Sequence, residues 1–423
     1  MTCERLTLTG DPAGMARELR ELVPAPESIA PQVAEIIARV RASGDDALRF
    51  YTREFDTRGG TPAALRVPDA ELDTSLERLD GGVRNGLEAA IANVERVAGA
   101  GLAEDRAVVF EDHQVTIREV AVDRAAVYVP GGRAPYPSTV VMGVITARVA
   151  GVPEIAVCSP PGPNGEVNAA VLAACRLVGV GAVYRMGGAQ AIAALAFGTE
   201  TVSPVDVIVG PGNLYVQEAK RQVFGRVGID GFAGPSDLMA IASAGAEPEA
   251  LALDLLAQAE HGAGSLVVAI SDSTELLDAL AERIARGAGE DDGEAAIRLV
   301  AVGDVEAALA IAEDFAPEHL QLAGADAEAV APRVRHAGCL LVGTTSGTAF
   351  ADYVAGSNHV LPTNGAARFG SALSPVHFRR RFTEVRITGD PSGLAAAAAP
   401  LARAEGFELH AASMEARVRD NGA

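Results

Sequence analysis

The chain is poor in positive charge, in lysine, in histidine and in cysteine, and each shortage removes a class of function. Its 423 residues carry 35 Lys plus Arg against 56 Asp plus Glu, a formal net charge of −21. Phosphate backbones are held by clustered cations that displace counterions, so a chain with this balance and no Lys/Arg block is not expected to bind nucleic acid. The same deficit argues against polybasic docking on an anionic membrane surface. A single lysine, Lys220, is present, and any Schiff-base chemistry would have to use it. The four cysteines (Cys3, Cys158, Cys175, Cys339) contain no CxxC pair, which excludes a thiolate zinc site and reads as small hydrophobes in a reducing compartment. No run of about 18 uncharged apolar residues occurs and the N-terminus MTCERLTLTGDPAG has early charges, so a soluble cytoplasmic protein is expected. No GxGxxG follows a strand with an acidic residue about 20 positions on, so the standard dinucleotide fingerprint is missing.

What is present is ample apolar material, 49% of the chain, with 45 Gly and 23 Pro. That length and composition support two or more cores. Residues 15–105 place apolar residues three and four apart, as in PQVAEIIARV and RNGLEAAIANVERV, and predict a helical lead-in. VVFEDHQVTIREVAVD alternates around a polar turn and predicts a β-hairpin, with His113 as a solvated residue at its tip. From residue 125, short apolar strands alternate with helical patterns, which predicts parallel βαβ units in two sheets of similar make. After about residue 374 the tail is Ala- and Arg-rich and helical in propensity, with a start signal at Asp390-Pro391. Gly/Pro clusters stand at strand ends; in open α/β sheets the crevice beyond the carboxyl ends holds ligands, which makes these loops the expected walls of a site.

Six of the seven histidines fall after residue 260. Gln258 and His261 are three apart at a helix end and share a face, with Gly262 closing the helix; taken alone, a solvated polar helix end explains them more readily. Glu318-His319 follows a helix and Pro317, and an adjacent carboxylate and imidazole at a strand mouth suits acid/base work near neutral pH. Asp352 and His359 share one loop, and Glu405 and His410 lie in the tail. Gln258, His261, Asp352 and His410 together are a mixed N/O donor set suited to zinc or a similar divalent ion, although no compact ligand motif joins them. Residue patterns alone reach a metal-assisted α/β enzyme.

The strings YVPGGRAPYPSTVVM, MGGAQAIAALAFGTE, VGPGNLYVQEAKRQV, AGPSD, AQAEHG, APEHL and ADYVAGSNHVLPT, with the late Glu405 and His410, resemble the histidinol dehydrogenase family, in order and over roughly residues 15 to 415. The resemblance implies a zinc- and NAD-dependent enzyme, one zinc per subunit, that oxidises L-histidinol to L-histidine in two steps through L-histidinaldehyde, closing histidine biosynthesis. By the same resemblance the zinc ligands are Gln258, His261, Asp352 and His410, the last from the other subunit of a homodimer. Glu318 and His319 match the acid/base pair. Ser236, His359 and Glu405 match substrate contacts, beside which His319 and the four ligands also border the substrate. Tyr128, Gln190 and Asn213 match the NAD contacts, and Lys220, near the last of these, is expected to act electrostatically at most.

The implied fold is α/β: two incomplete Rossmann-like α/β/α domains with parallel sheets, a helical N-terminal segment and a C-terminal helical arm exchanged in a dimer. Its divisions are an N-terminal segment 1–22, a larger discontinuous domain of 23–127 and 238–373 with the metal and catalytic residues, a nucleotide-binding domain 128–237 and an arm 374–423. A relative that oxidises another primary amino alcohol, and a catalytically silent binding protein on the same fold, are the competing readings. His336 and His377 match no role.

Overall fold

In the computed structural model, residues 2–23, 29–60, 63–131, 134–232, 234–262, 264–287 and 295–418 are described. The strands, in chain order, are β1 (Thr2–Thr7), β2 (Arg106–Val109), β3 (His113–Ala121), β4 (Arg124–Tyr128), β5 (Glu154–Ser159), β6 (Ala182–Arg185) and β7 (Val207–Val209), followed by β8 (Gly228–Ile229), β9 (Asp237–Ala242), β10 (Leu266–Ser271), β11 (Ala296–Ala301), β12 (His319–Ala323), β13 (Cys339–Val342) and β14 (Arg379–Ile387). They form two compact units. One holds residues 1–101 and 122–378; the other holds 102–121 and 379–423.

The first unit contains two parallel sheets. The larger has the order β1-β11-β10-β9-β12-β13 and the smaller β6-β5-β4-β7-β8. Central strands covered on both faces should read as continuous apolar runs. Accordingly, every residue of β9 (DLMAIA) and β10 (LVVAIS) is buried. The two-residue period then sorts their side chains between faces. Met239 and Ile241 pack with Leu309 and Phe315 of the helix Val305–Phe315, whereas Leu238, Ala240 and Ala242 pack with Leu255 and Leu277 of the helices Pro248–Ala259 and Thr274–Gly287. A third core joins one face of the smaller sheet to the helix Ala30–Tyr51 and the helix Gly188–Phe197.

The second unit is an antiparallel sheet, β14-β3-β2, followed by the helices Ser392–Ala404 and Glu408–Glu415. The predicted hairpin is β2-β3. His113 opens β3 rather than standing free in the turn: it stacks on Phe110, with ring centroids 4.1 Å apart, and pairs with Asp112 at 2.6 Å.

Two expectations about the chain ends need correction. The N-terminal segment 1–22, expected to be helical, begins with a strand, because β1 pairs in parallel with β11 and completes the larger sheet's edge. The tail begins with β14, nine residues paired along β3. Both strands take their conformation from a distant partner, so local helical propensity does not report them. Cys158 and Cys175 are buried as expected, Cys339 is half-buried and Cys3 is exposed.

Leu277 is fully buried, with no exposed surface, and lies away from the candidate site residues in sequence. Leu277→Ala is expected to cost about 2–5 kcal/mol, the transfer and cavity terms for a core leucine, measured as a lower urea midpoint.

Candidate active site

The candidate residues of the larger sheet collect at the amino ends of its strands, opposite to the carboxyl-end crevice expected from parallel sheets in general. Ser236 precedes β9 and Glu318 precedes β12. The helix Pro248–Ala259 follows β9 and runs back across the sheet, so its last turn, with Gln258, and His261 beyond it arrive at the edge where β10 begins. In the smaller sheet the usual rule holds: Tyr128 ends β4, Gln190 follows β6 and Asn213 follows β7.

Glu318 owes its place to a tight exit from the helix Val305–Phe315. Ala316 adopts a left-handed conformation (φ 53°) as the C-cap and Pro317 prevents further helix. Parallel pairing then sets His319 opposite Leu238. Glu318 N donates to Asp237 Oδ1 at 2.6 Å and Asp237 N donates to Glu318 Oε2 at 3.0 Å, a reciprocal pair. Behind it, Arg20 reaches Asp237 Oδ2 at 3.2 Å, donates to the Phe315 carbonyl at 2.6 Å and lies 3.6 Å over the Phe315 ring. Gly338 lets the neighbouring strand approach: a Cβ there would stand 2.6 Å from the Glu318 carbonyl oxygen.

His319 Nε2 is 3.1 Å from Asp352 Oδ1, and its Nδ1 lies 3.9 Å from Glu318 Oε2 with no hydrogen-bond partner among the described residues. Burial pushes the Glu318 carboxyl up to about 7, helped by the charges of Asp237 and Asp352 and opposed by His319. For His319, burial disfavours the imidazolium, but the Asp352 hydrogen bond and the charges of Glu318, Asp352 and Asp237 outweigh it and raise the ring to about 9. Asp352 is pulled below the ordinary carboxylate range: burial opposes ionisation, and the His319 hydrogen bond with the His319, His359 and His261 rings overcomes it.

His359 is oriented at both nitrogens. Its Nδ1 donates to the Asp352 carbonyl oxygen at 2.8 Å, which leaves Nε2 to accept from the Thr139 hydroxyl at 3.1 Å. Burial lowers its pKa and keeps the ring neutral. Asn358 beside it donates to the Met142 carbonyl oxygen and to Thr146. These bonds tie the 352–359 loop to the helix Pro137–Val149, which follows β4 of the other sheet.

Gln258 is buried with its Nε2 unpartnered among the described residues. His261 is exposed and directs Nδ1 at the Gln258 carbonyl oxygen at 3.1 Å, which frees Nε2. That pattern, one imidazole nitrogen fixed by a carbonyl and the other open, is how metal-ligating histidines are oriented. With Asp352 the set offers an amide, an imidazole and a carboxylate and no thiolate, which fits zinc. No group of three or more His, Cys, Asp or Glu close enough to hold a metal occurs among the described residues. His410 and Glu405, the remaining expected contributors, are exposed in the second unit.

On the smaller sheet, Gly188 N donates to the Tyr128 hydroxyl at 3.1 Å, and burial pushes that hydroxyl's pKa strongly up. Gln190 is buried with both amide atoms unpartnered among the described residues. Asn213 caps the helix Leu214–Val223, accepting from Val216 N at 3.2 Å. Sequence reasoning missed Asp237, Thr139 and Arg20. Asp237 sits inside the AGPSD string and Thr139 inside the APYPST string, yet only their distant partners give either a role. His336 and His377 have local partners, Glu313 and Ser374.

Comparison with known proteins agrees with this geometry. The family model described as histidinol dehydrogenase matches residues 23–418. Histidinol dehydrogenase of Rhodospirillum rubrum is 43% identical over 399 residues, 91% of each chain, and that of Cereibacter sphaeroides is 44% identical over 401 residues, again 91% of each. A crystal structure of histidinol dehydrogenase from Elizabethkingia anophelis superposes with a TM-score of 0.91 at 30% identity, covering 99% of this chain and 98% of that one.

Glu318 and His319 both hold a proton more tightly in the folded chain than in a free side chain. Their stabilising contribution is complete below their ordinary values of 4.5 and 6.5 and is lost as pH rises through about 7 and about 9. The urea midpoint of metal-free protein should therefore fall between pH 6.5 and 9, and His319→Gln should flatten that part of the profile.

Proposed function

The chain belongs to the histidinol dehydrogenase family, and from that premise we propose that it oxidises L-histidinol to L-histidine through L-histidinaldehyde, with zinc and two equivalents of NAD. The observation that carries the reading is the buried Glu318-His319 pair, hydrogen-bonded on one side to Asp237 and on the other to Asp352.

The donor chemistry of Gln258, His261 and Asp352 supports a metal held by these residues. A zinc ion held there would orient the substrate and its reacting alcohol. His319 takes the alcohol proton while hydride passes from the carbon to NAD. In metal-free protein His319 keeps its proton because Asp352 accepts its hydrogen bond; once that carboxylate is engaged elsewhere, the largest upward influence on the ring is gone and it becomes a base near neutral pH. For the second step Glu318 accepts a proton from the water that adds to the aldehyde, and a second hydride leaves the hydrated carbon for a second NAD. A carboxyl held near 7 is suited to accept and return protons under these conditions. Holding the aldehyde between steps keeps it from side reactions. Tyr128, Gln190 and Asn213 stand where strands of the smaller sheet end, the usual side for a dinucleotide, and the two unpaired amide atoms of Gln190 offer it a donor and an acceptor.

The partner subunit's His410 is proposed as the fourth ligand and its Glu405 as a substrate contact. In the second unit Phe407 and Leu409 flank this segment and are 51% and 85% exposed, an apolar face of the kind a homodimer buries. Among the described residues no helix is long and apolar enough to cross a membrane; a cytoplasmic homodimer without a nucleic-acid partner fits the acidic composition.

NADH formation with L-histidinol, compared with other amino alcohols in the presence of zinc, tests the reading, and absence of turnover with L-histidinol refutes it. His319→Gln is expected to lower kcat by about 10²–10⁴, the range for loss of a positioned acid/base group. A shared site makes a separate demand: inactive His410→Ala and inactive His319→Ala proteins, unfolded together and refolded as mixed dimers, should regain part of the wild-type activity, whereas full activity in a monomer contradicts sharing.

A further inference from the structure

Lys220, the chain's one lysine, is left without a task by the chemistry above. It projects from the helix Leu214–Val223 and is 1% exposed, among the largest fully buried side chains. Its Nζ donates to Asp230 Oδ1 at 2.6 Å and to the Gly210 carbonyl oxygen at 2.5 Å, and the other oxygen of the same carboxylate, Asp230 Oδ2, accepts from Gly210 N at 2.7 Å. One ion pair therefore takes both backbone groups of one glycine. With Nζ enclosed by these partners, Lys220 has no path to a substrate carbon.

Gly210 is the point where β7 ends and the turn to Asn213 begins. Its φ is +112°, a region open to glycine, and a Cβ there would overlap the Tyr128 carbonyl oxygen. The turn is thus pressed against the backbone of one proposed cofactor contact and leads within three residues to another, whose side chain already caps the lysine's helix. Gln217 of that helix adds a bond to the Gly212 carbonyl oxygen at 3.3 Å. A glycine-proline-glycine turn has little side-chain packing to hold its course. A buried charge pair needs well-placed hydrogen bonds to offset its desolvation, and here those bonds go to the turn.

We propose that Lys220 and Asp230 are positioning residues for cofactor binding: their ion pair clamps the Gly210–Asn213 turn against Tyr128 in the conformation that receives the dinucleotide. This rests on the reading of Tyr128, Gln190 and Asn213 as the NAD contacts. It gives this buried ion pair a task that the chemistry at the larger sheet leaves open.

The test compares zinc-loaded full-length enzyme with the double variant Lys220→Met/Asp230→Asn, which removes both charges and so avoids an unpaired buried carboxylate. The KM for NAD should rise about tenfold, because small displacements of a binding group are costly, while the KM for L-histidinol, held by the other sheet, should move less than about twofold. NADH fluorescence titration should show the same weakening. An unchanged KM for NAD in the folded variant overturns the proposal. So does a parallel rise of both KM values, or a double variant that fails to fold, since either makes the pair a general support of the structure. Asn213→Ala, measured alongside, separates this result from the cofactor reading: if it leaves the KM for NAD unchanged while the double variant raises it, Asn213 drops out of the contact set and the clamp stands on Tyr128.

Discussion

The pairing of β9 with β12 is the constraint on which the site depends. Residues 237 and 318 are 81 positions apart, and only the parallel register that sets His319 against Leu238 places their backbones side by side. The reciprocal bonds between Asp237 and Glu318 follow from that register, and they satisfy two backbone N–H groups that would otherwise be buried without partners. Burial then makes the carboxyl of Glu318 reluctant to ionise, and the negative charge of Asp237, which Arg20 favours, adds to the effect. A slip of one residue would turn every side chain of β12 to the opposite face. His319 would leave Asp352, and the acid/base pair would no longer exist.

Around that pairing the two sheets contribute opposite edges. The smaller sheet presents carboxyl ends, where glycine-rich turns lead into the helices Gly188–Phe197 and Leu214–Val223. The larger sheet presents amino ends, where returning helices finish and side chains take over: Gln258 is in the last turn of its helix, His261 lies just beyond it, and Glu318 and His319 stand at the start of β12. Thr139 and Asn358 carry the connection between the two sheets, through bonds that fix His359 and the loop bearing Asp352.

The electrostatics explain why so acidic a chain keeps its working groups paired. Asp237 and Asp352 both raise Glu318, and all three carboxylates raise His319. In the metal-free chain the proton on His319 balances this negative cluster. A cation taken up by Gln258, His261 and Asp352 would serve the same balance and leave the imidazole free to accept a proton.

Much of the protein was readable in its residues. The alternation of short apolar runs with helical patterns determined two parallel sheets, because strands covered on both sides must be apolar throughout. The long strings from YVPGGRAPYPSTVVM to ADYVAGSNHVLPT determined the family. The scarcity of histidine and the lone lysine marked positions worth following. Tertiary structure alone decided the rest. The strands Thr2–Thr7 and Arg379–Ile387 exist through partners nearly 300 or more than 250 residues away, and no local pattern carries that information. The contacts of Asp237, Arg20 and Thr139 with Glu318, Phe315 and His359 join distant segments, and the grip of Lys220 and Asp230 on Gly210 closes only as helix, turn and strand end pack together. Composition and spacing set what each residue is able to do, and burial and register set which of those abilities is used.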